Sequence, residues 1–375
     1  MNLKMRIGFI TSCRSDFTKI RPYIAFFVKR RIPVSVFVTS MHVNAQLGVA
    51  REELVSYFPK GVHFCWDEAF PQQQPISALS HLVSAVGHFL QEEKIQFVFV
   101  HGDRMEAFAA ATAAALLLRP ICQIEAGDVS GNLDESFRHA ITKLSHRFLV
   151  DNKTAKKRVL RLGERPDSIF ITGSSSMALL PCAEEQYAQT KLYNLPTPYA
   201  IVLYHPQTGL SAKEQYRNIA NLVRELNRLP IHYLVLPPNN DPGYPEILRA
   251  YRLFDQKKAL MAPSLSGETY LTLLSQAICL IGNSSSAIKD APALGVPSIT
   301  LGTRQTNRVK GVYAPCYREV NSAREAADLV MDFHKKFIKK KKSTYSREKF
   351  EKILERIFTP DFFKPDLQKC FYEPR

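Results

Sequence analysis

The chain has 375 residues, 45% of them hydrophobic and 23% charged, with a formal net charge of +15. That composition belongs to a globular chain long enough for two cores, and it excludes disordered and fibrous classes. No stretch reaches the roughly 18 consecutive apolar residues of a membrane span, and Met1 to Arg6 runs straight into a strand pattern instead of a signal-peptide core.

Short β-branched and aromatic runs occur at Ile7 to Ile10, Val34 to Val38, Phe97 to Val100, Ile121 to Ile124, Phe148 to Val150 and Ile169 to Ile171. A second series runs through Ala200 to Leu203, Tyr233 to Leu236, Ile278 to Ile281 and Ser298 to Thr300. The intervening segments are mostly long enough for crossover helices, which predicts α/β halves with parallel sheets. A polar stretch from Ala183 to Thr190, followed by Pro196-Thr197-Pro198, reads as a linker. The expected organisation is a first domain at 1–180, a linker at 181–198, a second domain at 199–345 and a tail at 346–375. The apolar spacing of Phe350, Ile353, Leu354 and Ile357 predicts a tail helix that packs back on the first domain.

Seven cysteines, at 13, 65, 122, 182, 279, 316 and 370, form no Cys-x-x-Cys pair. Cys122 and Cys279 read as small core residues, and a reducing cytoplasm is expected. The basic excess gathers in Lys335-Lys336 and Lys339 to Lys342 without interleaved aromatics. It reads as a solvated helix face, with no nucleic-acid partner and at most weak association with a membrane surface.

Candidate chemistry collects at the carboxyl ends of the predicted strands, the edge where open α/β sheets bind ligands. After the third run stands His101-Gly102-Asp103-Arg104, and after the fourth Glu125-Ala126-Gly127-Asp128. A Gly-bounded loop then leads to Asp134 and Arg138, which are one helical turn apart and placed to pair. Asp103, Glu125 and Asp134 are candidates for acid–base work, since clustered carboxylates raise one another's pKa values. In the second half, Gly282-Asn283-Ser284-Ser285-Ser286 is expected to open a helix near Ala287 and offer an anion seat, with Arg304 beyond the next strand. His205 follows the first strand of that half, and Asn239 lies in a turn that could meet a nucleoside. Arg14 follows the first strand of the chain. The Gly-x-Gly-x-x-Gly fingerprint is absent, so no nicotinamide or flavin cofactor is expected. No tight acidic loop or His/Cys cluster suggests a metal.

These motifs resemble the hydrolysing UDP-N-acetylglucosamine 2-epimerases and their relatives acting on 2,4-diacetamido sugar nucleotides. The resemblance rests on His101-Gly102-Asp103-Arg104, Glu125-x-Gly127, and the run from Val129 through Asp134, Arg138 and His139 to His146. Arg14-x-Asp16, His205-Pro206, Gly282 to Ser285 and Leu301 to Gln305 match in the same order. It implies a GT-B-like fold, two Rossmann-like parallel-sheet domains with the active site in the cleft between them, and a homo-oligomer, dimer or tetramer. It further implies elimination of the nucleotide to a glycal, followed by hydration to a free epimerised sugar for sialic-acid-like biosynthesis. Asp103, Glu125 and Asp134 would do the acid–base work. Arg14, Arg104, Arg138, His205, Asn239, Ser284, Ser285, Asp290 and Arg304 would hold a UDP-sugar, with no cofactor. Gln123, Ala126, Ala287 and Asp290 depart from the family pattern, and the first two are expected to border the sugar. A GT-B glycosyltransferase, or a sugar-nucleotide-binding protein without turnover, remains open at this point.

Overall fold

A computed structural model describes residues 5–43, 51–70, 75–129, 133–180, 193, 195–207, 209–238, 243–262, 265–305, 317–336 and 347–373. Asn239, Ser130, Gly131, the run Lys339 to Lys342 and most of the expected linker lie outside the described residues. The chain forms two compact units, Met1–Ala178 with Glu348–Arg375, and Leu179–Arg347.

The first unit runs β1 (Ile7–Thr11), α1 (Arg14–Lys29), β2 (Val34–Val38), α2 (Arg51–Tyr57), β3 (Val62–Trp66), α3 (Pro75–Glu92), β4 (Phe97–His101), α4 (Met105–Leu116), β5 (Ile121–Ile124), α5 (Leu133–Leu144), β6 (Arg147–Val150), α6 (Lys153–Arg161) and β7 (Ile169–Ile171). Its seven strands are all parallel, in the order β3-β2-β1-β4-β5-β6-β7. The second unit contributes β8 (Tyr199–Leu203), β9 (His232–Val235), β10 (Ala259–Met261), β11 (Leu280–Gly282), β12 (Ser298–Leu301) and β13 (Tyr317–Val320). These six strands are also parallel, ordered β10-β9-β8-β11-β12-β13.

Helices cover both faces of such sheets, so the central strands read as continuous apolar runs. β1 and β2 are buried at every position. Three strands fall outside the predicted runs, namely β3, β10 and β13. Each is an edge of its sheet and partly exposed; β3 and β13 mix apolar with polar residues and β10 is only three residues long, so an apolar-run criterion passes over them. A second difference follows the Ser-rich loop. Instead of a helix starting near Ala287, a single 3-10 turn (Ser285–Ala287) leads to a helix of only four residues, Asp290–Ala293.

The tail helix Arg347–Ile357 buries Phe350, Leu354 and Ile357 in the core of the first unit. Phe358, Phe362 and Phe363 follow it into the same core. Phe358 stacks on Phe27 at 5.1 Å between ring centroids and meets Phe26, Phe99 and Phe362 edge-on. Truncating such a ring removes its transfer free energy and leaves a cavity. Phe358→Ala is expected to lower the stability of the first unit by about 3–5 kcal/mol, measured by urea unfolding.

Candidate active site

In the first sheet the strand order reverses between β1 and β4, and a crevice opens there at the carboxyl ends. Ser12, Asp16, His101, Arg104 and Glu106 line it. Asp16 braces the β1–α1 turn, accepting from Thr11 Oγ1, from Ser12 N at 2.8 Å and from Ser12 Oγ at 2.7 Å. Burial pushes its carboxyl up, but His42 and these hydrogen bonds outweigh burial and hold it below the ordinary range. Arg104 opens α4 and faces the buried Glu106 through two bonds of 3.2 Å. Arg14, at the start of α1, reaches Glu53 at 3.2 Å.

The chain leaves β4 and β5 with carboxylates held by cations. Asp103 is ion-paired with Arg138, whose second amino group donates to the Glu125 carbonyl at 3.0 Å. Burial works against the Arg138 guanidinium, and Asp103, Asp128 and Glu125 more than offset it, so the charge is retained. Glu125 Oε1 lies 3.2 Å from Lys19 Nζ, and its Oε2 lies 3.5 Å from His101 Nε2. The Glu125 backbone takes φ +58°, a conformation that L side chains rarely adopt. Two residues on, a Cβ at Gly127 (φ +72°) would stand 2.4 Å from the Ala155 carbonyl, so only glycine fits.

Three expectations change here. Arg138 turns to Asp103 and to the Glu125 carbonyl, not to Asp134; Asp134 sits half-buried in the first turn of α5. A buried guanidinium needs a carboxylate in its own plane of access, and the rotation of α5 aims Arg138 at the β4 loop. Rather than being set against one another, Asp103 and Glu125 are each matched by a cation. Gln123 and Ala126 do not border a ligand surface, being 0% and 1% exposed. Ala126 packs with Phe148, Val150 and Val159. The Gln123 amide donates to the Arg138 carbonyl at 3.2 Å and accepts from Thr142 Oγ1 at 2.7 Å.

Lys19 was not among the sequence candidates. It bonds Ser174 Oγ at 3.2 Å and Ser176 Oγ at 3.0 Å as well as Glu125. Its signal was a lysine in the second turn of a helix that begins at the ligand-binding edge, beside the buried Phe17 and Ile20. Outside this site, His63, Cys65 and Glu93 bring donor atoms within 4.8 Å of one another, a His/Cys grouping that the sequence did not reveal. Arg6, Ser35 and His63 all meet Glu93 Oε2 at 2.8–3.0 Å, so its carboxylate is already matched without a metal.

In the second sheet the order reverses between β8 and β11, and Asn283 joins the two strand ends. Its side chain accepts from His205 N at 2.7 Å and donates to His205 O at 2.9 Å. Its carbonyl accepts from Arg304 at 3.1 Å and from Gln305 at 2.8 Å. A Cβ at Gly282 would lie 1.8 Å from the Leu203 carbonyl, which fixes glycine before Asn283. Ser284 caps the 3-10 turn through Ser286 N at 3.3 Å, and Ser285 is half-buried beside it. Asp290 is buried, and after burial itself its charge raises the Tyr270 hydroxyl. A four-residue helix carries little dipole, so the positive charge beside this turn is that of Arg304.

The chain has counterparts among known proteins. The family profile described as UDP-N-acetylglucosamine 2-epimerase matches residues 27–357. A UDP-N-acetylglucosamine 2-epimerase of Neisseria meningitidis serogroup B is 34% identical over 314 residues, 82% of each chain. The chain belongs to the UDP-N-acetylglucosamine 2-epimerase family. A UDP-N,N'-diacetylbacillosamine 2-epimerase (hydrolyzing) of Legionella pneumophila is 28% identical over 320 residues, covering 81% of this chain and 82% of that one. The crystal structure of UDP-GlcNAc 2-epimerase from Neisseria meningitidis bound to UDP-GlcNAc shares the fold, with a TM-score of 0.76 at 19% identity, over 94% of this chain and 99% of that one. The two Rossmann-like parallel-sheet domains are therefore those of this epimerase fold.

Burial, and then Arg304, push the His205 imidazole down to about 3, so at neutral pH it is an uncharged hydrogen-bonding group. The sign of the linkage follows from a folded pKa below the unfolded one. Between pH 6.5 and 3 the unfolded chain binds a proton that the folded chain refuses, and stability falls as pH falls. Wild type is expected to lose on the order of 2 kcal/mol relative to His205→Gln between pH 7.5 and pH 5. Paired denaturant titrations at the two pH values measure this difference, which vanishes if His205 protonates normally in the folded chain.

Proposed function

We propose that this epimerase is of the hydrolysing kind, converting UDP-N-acetylglucosamine and water, or the 2,4-diacetamido analogue, to the free 2-epimeric sugar and UDP. The observation that carries the reading is the joined set Asp103–Arg138 and Glu125–Lys19–His101 at the ends of β4 and β5. The Legionella relative named as hydrolysing supports it.

In the first step a carboxylate takes the C-2 hydrogen as a proton. The electron pair left behind forms the C-1–C-2 double bond, and the C-1–oxygen bond breaks with its pair leaving on UDP. In the second step water adds across the double bond, hydroxyl to C-1 and a proton to C-2 from the opposite face. Asp103, Glu125 and Asp134 share the proton transfers, an acid–base contribution of about 100- to 10,000-fold. Lys19 lies 3.2 Å from the Glu125 carboxylate and holds it in place. Ser284, Ser285 and Arg304 hold the diphosphate, His205 serves it as a neutral donor, and Asp290 serves the nucleoside. Arg14 and Arg104 complete the substrate contacts, and the buried Arg138 acts by holding Asp103. The chemistry needs no cofactor, because departure of UDP drives the elimination.

The product is the kind of free N-acetylated sugar that sialic-acid-like biosynthesis consumes. Among the described residues, Cys13, Cys65, Cys122 and Cys370 are thiols outside any disulfide, which supports a reducing cytoplasm. Among the same residues, no helix is long and apolar enough to cross a membrane.

Incubation with UDP-N-acetylglucosamine in deuterium oxide, without an acceptor, is expected to release UDP and free N-acetylmannosamine carrying deuterium at C-2. A product that keeps its nucleotide would instead mark a non-hydrolysing epimerase, and substrate turned over only with an acceptor would mark a transferase. In steady-state assays Asp103→Asn and Glu125→Gln should lower kcat about 100-fold or more while sparing UDP affinity. Arg304→Ala should weaken UDP binding itself, read by calorimetric titration.

A further inference from the structure

The last residues of the chain return to the helix that carries Arg138. Lys369 Nζ lies 3.1 Å from the Thr142 carbonyl and 3.0 Å from the Lys143 carbonyl, and it also donates to the Ser145 carbonyl. These oxygens stand at the C-terminal end of α5, where the helical ladder runs out and the dipole is negative. Glu164, 3% exposed, accepts from Lys369 at 2.8 Å through one oxygen and from Lys143 at 2.8 Å through the other.

The seat for this segment is specific. Tyr372 N donates to the Gly163 carbonyl at 2.9 Å. Gly163 takes φ +80°, and a Cβ there would run into the Phe371 ring at 2.3 Å. Lys143 Nζ stands 5.2 Å from the centre of that ring and donates to the Leu162 carbonyl at 3.0 Å. The end of the chain is thus held by main-chain bonding, by a glycine without room for a side chain and by a buried carboxylate.

From the capped end, α5 is bonded inward to the site. Thr142 Oγ1 donates to Gln123 Oε1 at 2.7 Å, and Gln123 Nε2 donates to the Arg138 carbonyl at 3.2 Å and the Gly102 carbonyl at 3.5 Å. Gly102 immediately precedes Asp103. We propose that Lys369 is a positioning residue, which fixes the placement of α5 from its C-terminal end and through Thr142 and Gln123 sets the Asp103–Arg138 pair. The proposal rests on the reading of that pair as catalytic. Small displacements of reacting groups are costly, about 100-fold for 1 Å, so a cap more than a helical turn from Arg138 can still govern turnover.

The test compares Lys369→Met and Lys369→Arg in the full chain by kcat, KM, UDP affinity and hydrogen exchange at the α5 amides. Lys369→Met should lower kcat about tenfold or more, leave KM and UDP affinity within about twofold, and speed exchange along α5. Lys369→Arg, which keeps a cation at the same carbonyls, should restore most of the loss. A merely structural cap would lower the melting temperature and leave kcat within about twofold at temperatures well below melting, which overturns the proposal. Should Lys369→Met fail to fold, Thr142→Val cuts the inward bond without touching the tail; wild-type kcat in that variant overturns the proposal equally. If the wild-type chain itself releases no free sugar, the proposed function falls, and unchanged α5 exchange in Lys369→Met would still sink the positioning role.

Discussion

A guanidinium taken almost wholly out of water has to find oxygens of its own, and Arg138, 2% exposed, draws three segments of chain together to do so. Asp103 comes from the end of β4, the Glu125 carbonyl from the end of β5, and Arg138 itself from α5. Removing any one leaves a buried charge or carbonyl unmatched. The same bond explains how Glu125 can hold φ +58°, a backbone state costing about 1–3 kcal/mol at a non-glycine residue. The guanidinium grips the carbonyl of the strained peptide, Gly127 leaves the chain room to turn against α6, and the Glu125 carboxylate is delivered to Lys19 and His101. Strain at this point is therefore part of the aim of the side chain.

The second unit meets its own reversal of strand order with a neutral group. Asn283 spans from β11 to the backbone on both sides of His205, and its carbonyl gathers Arg304 and Gln305. An amide suits this place because it donates and accepts at once and brings no charge of its own. Arg304 then remains the positive group of the turn, and its charge, with burial, keeps His205 neutral. Two sheets of the same topological kind thus use different means of bracing each strand end.

The central strands and the residues at their carboxyl ends were legible in the sequence because both obey strong local rules. A strand covered on both faces must be apolar throughout, and a ligand-binding edge concentrates Gly and ionisable groups where the runs stop. The edge strands β3, β10 and β13 carry no such signal, since half of each faces water. Pairing was the least legible feature. The spacing of Asp134 and Arg138 fits a helix pair, yet the partner of Arg138 is 35 residues away in the chain, at Asp103. Which carboxylate a helical cation meets depends on the rotation of the helix against its sheet, and rotation is a property of the packed core. Lys19 was missed for the same reason: its partners, Glu125, Ser174 and Ser176, come from distant segments.

Gln123 shows how a departure from a family pattern can be absorbed inside a framework. The position is sealed from solvent, between two carbonyl oxygens and one hydroxyl, those of Arg138, Gly102 and Thr142. A primary amide has two donors and an acceptor, which matches all three. Read by sequence alone, a change two residues before Glu125 looked like a change in what the sugar touches. In the fold it is a change in how the floor beneath Asp103 and Arg138 is bonded. The partly exposed groups lining the crevice at this edge are instead His101 and Arg104, set beside the buried Ser12, Asp16 and Glu106. A buried residue of this kind acts on that surface only by moving the side chains that line it.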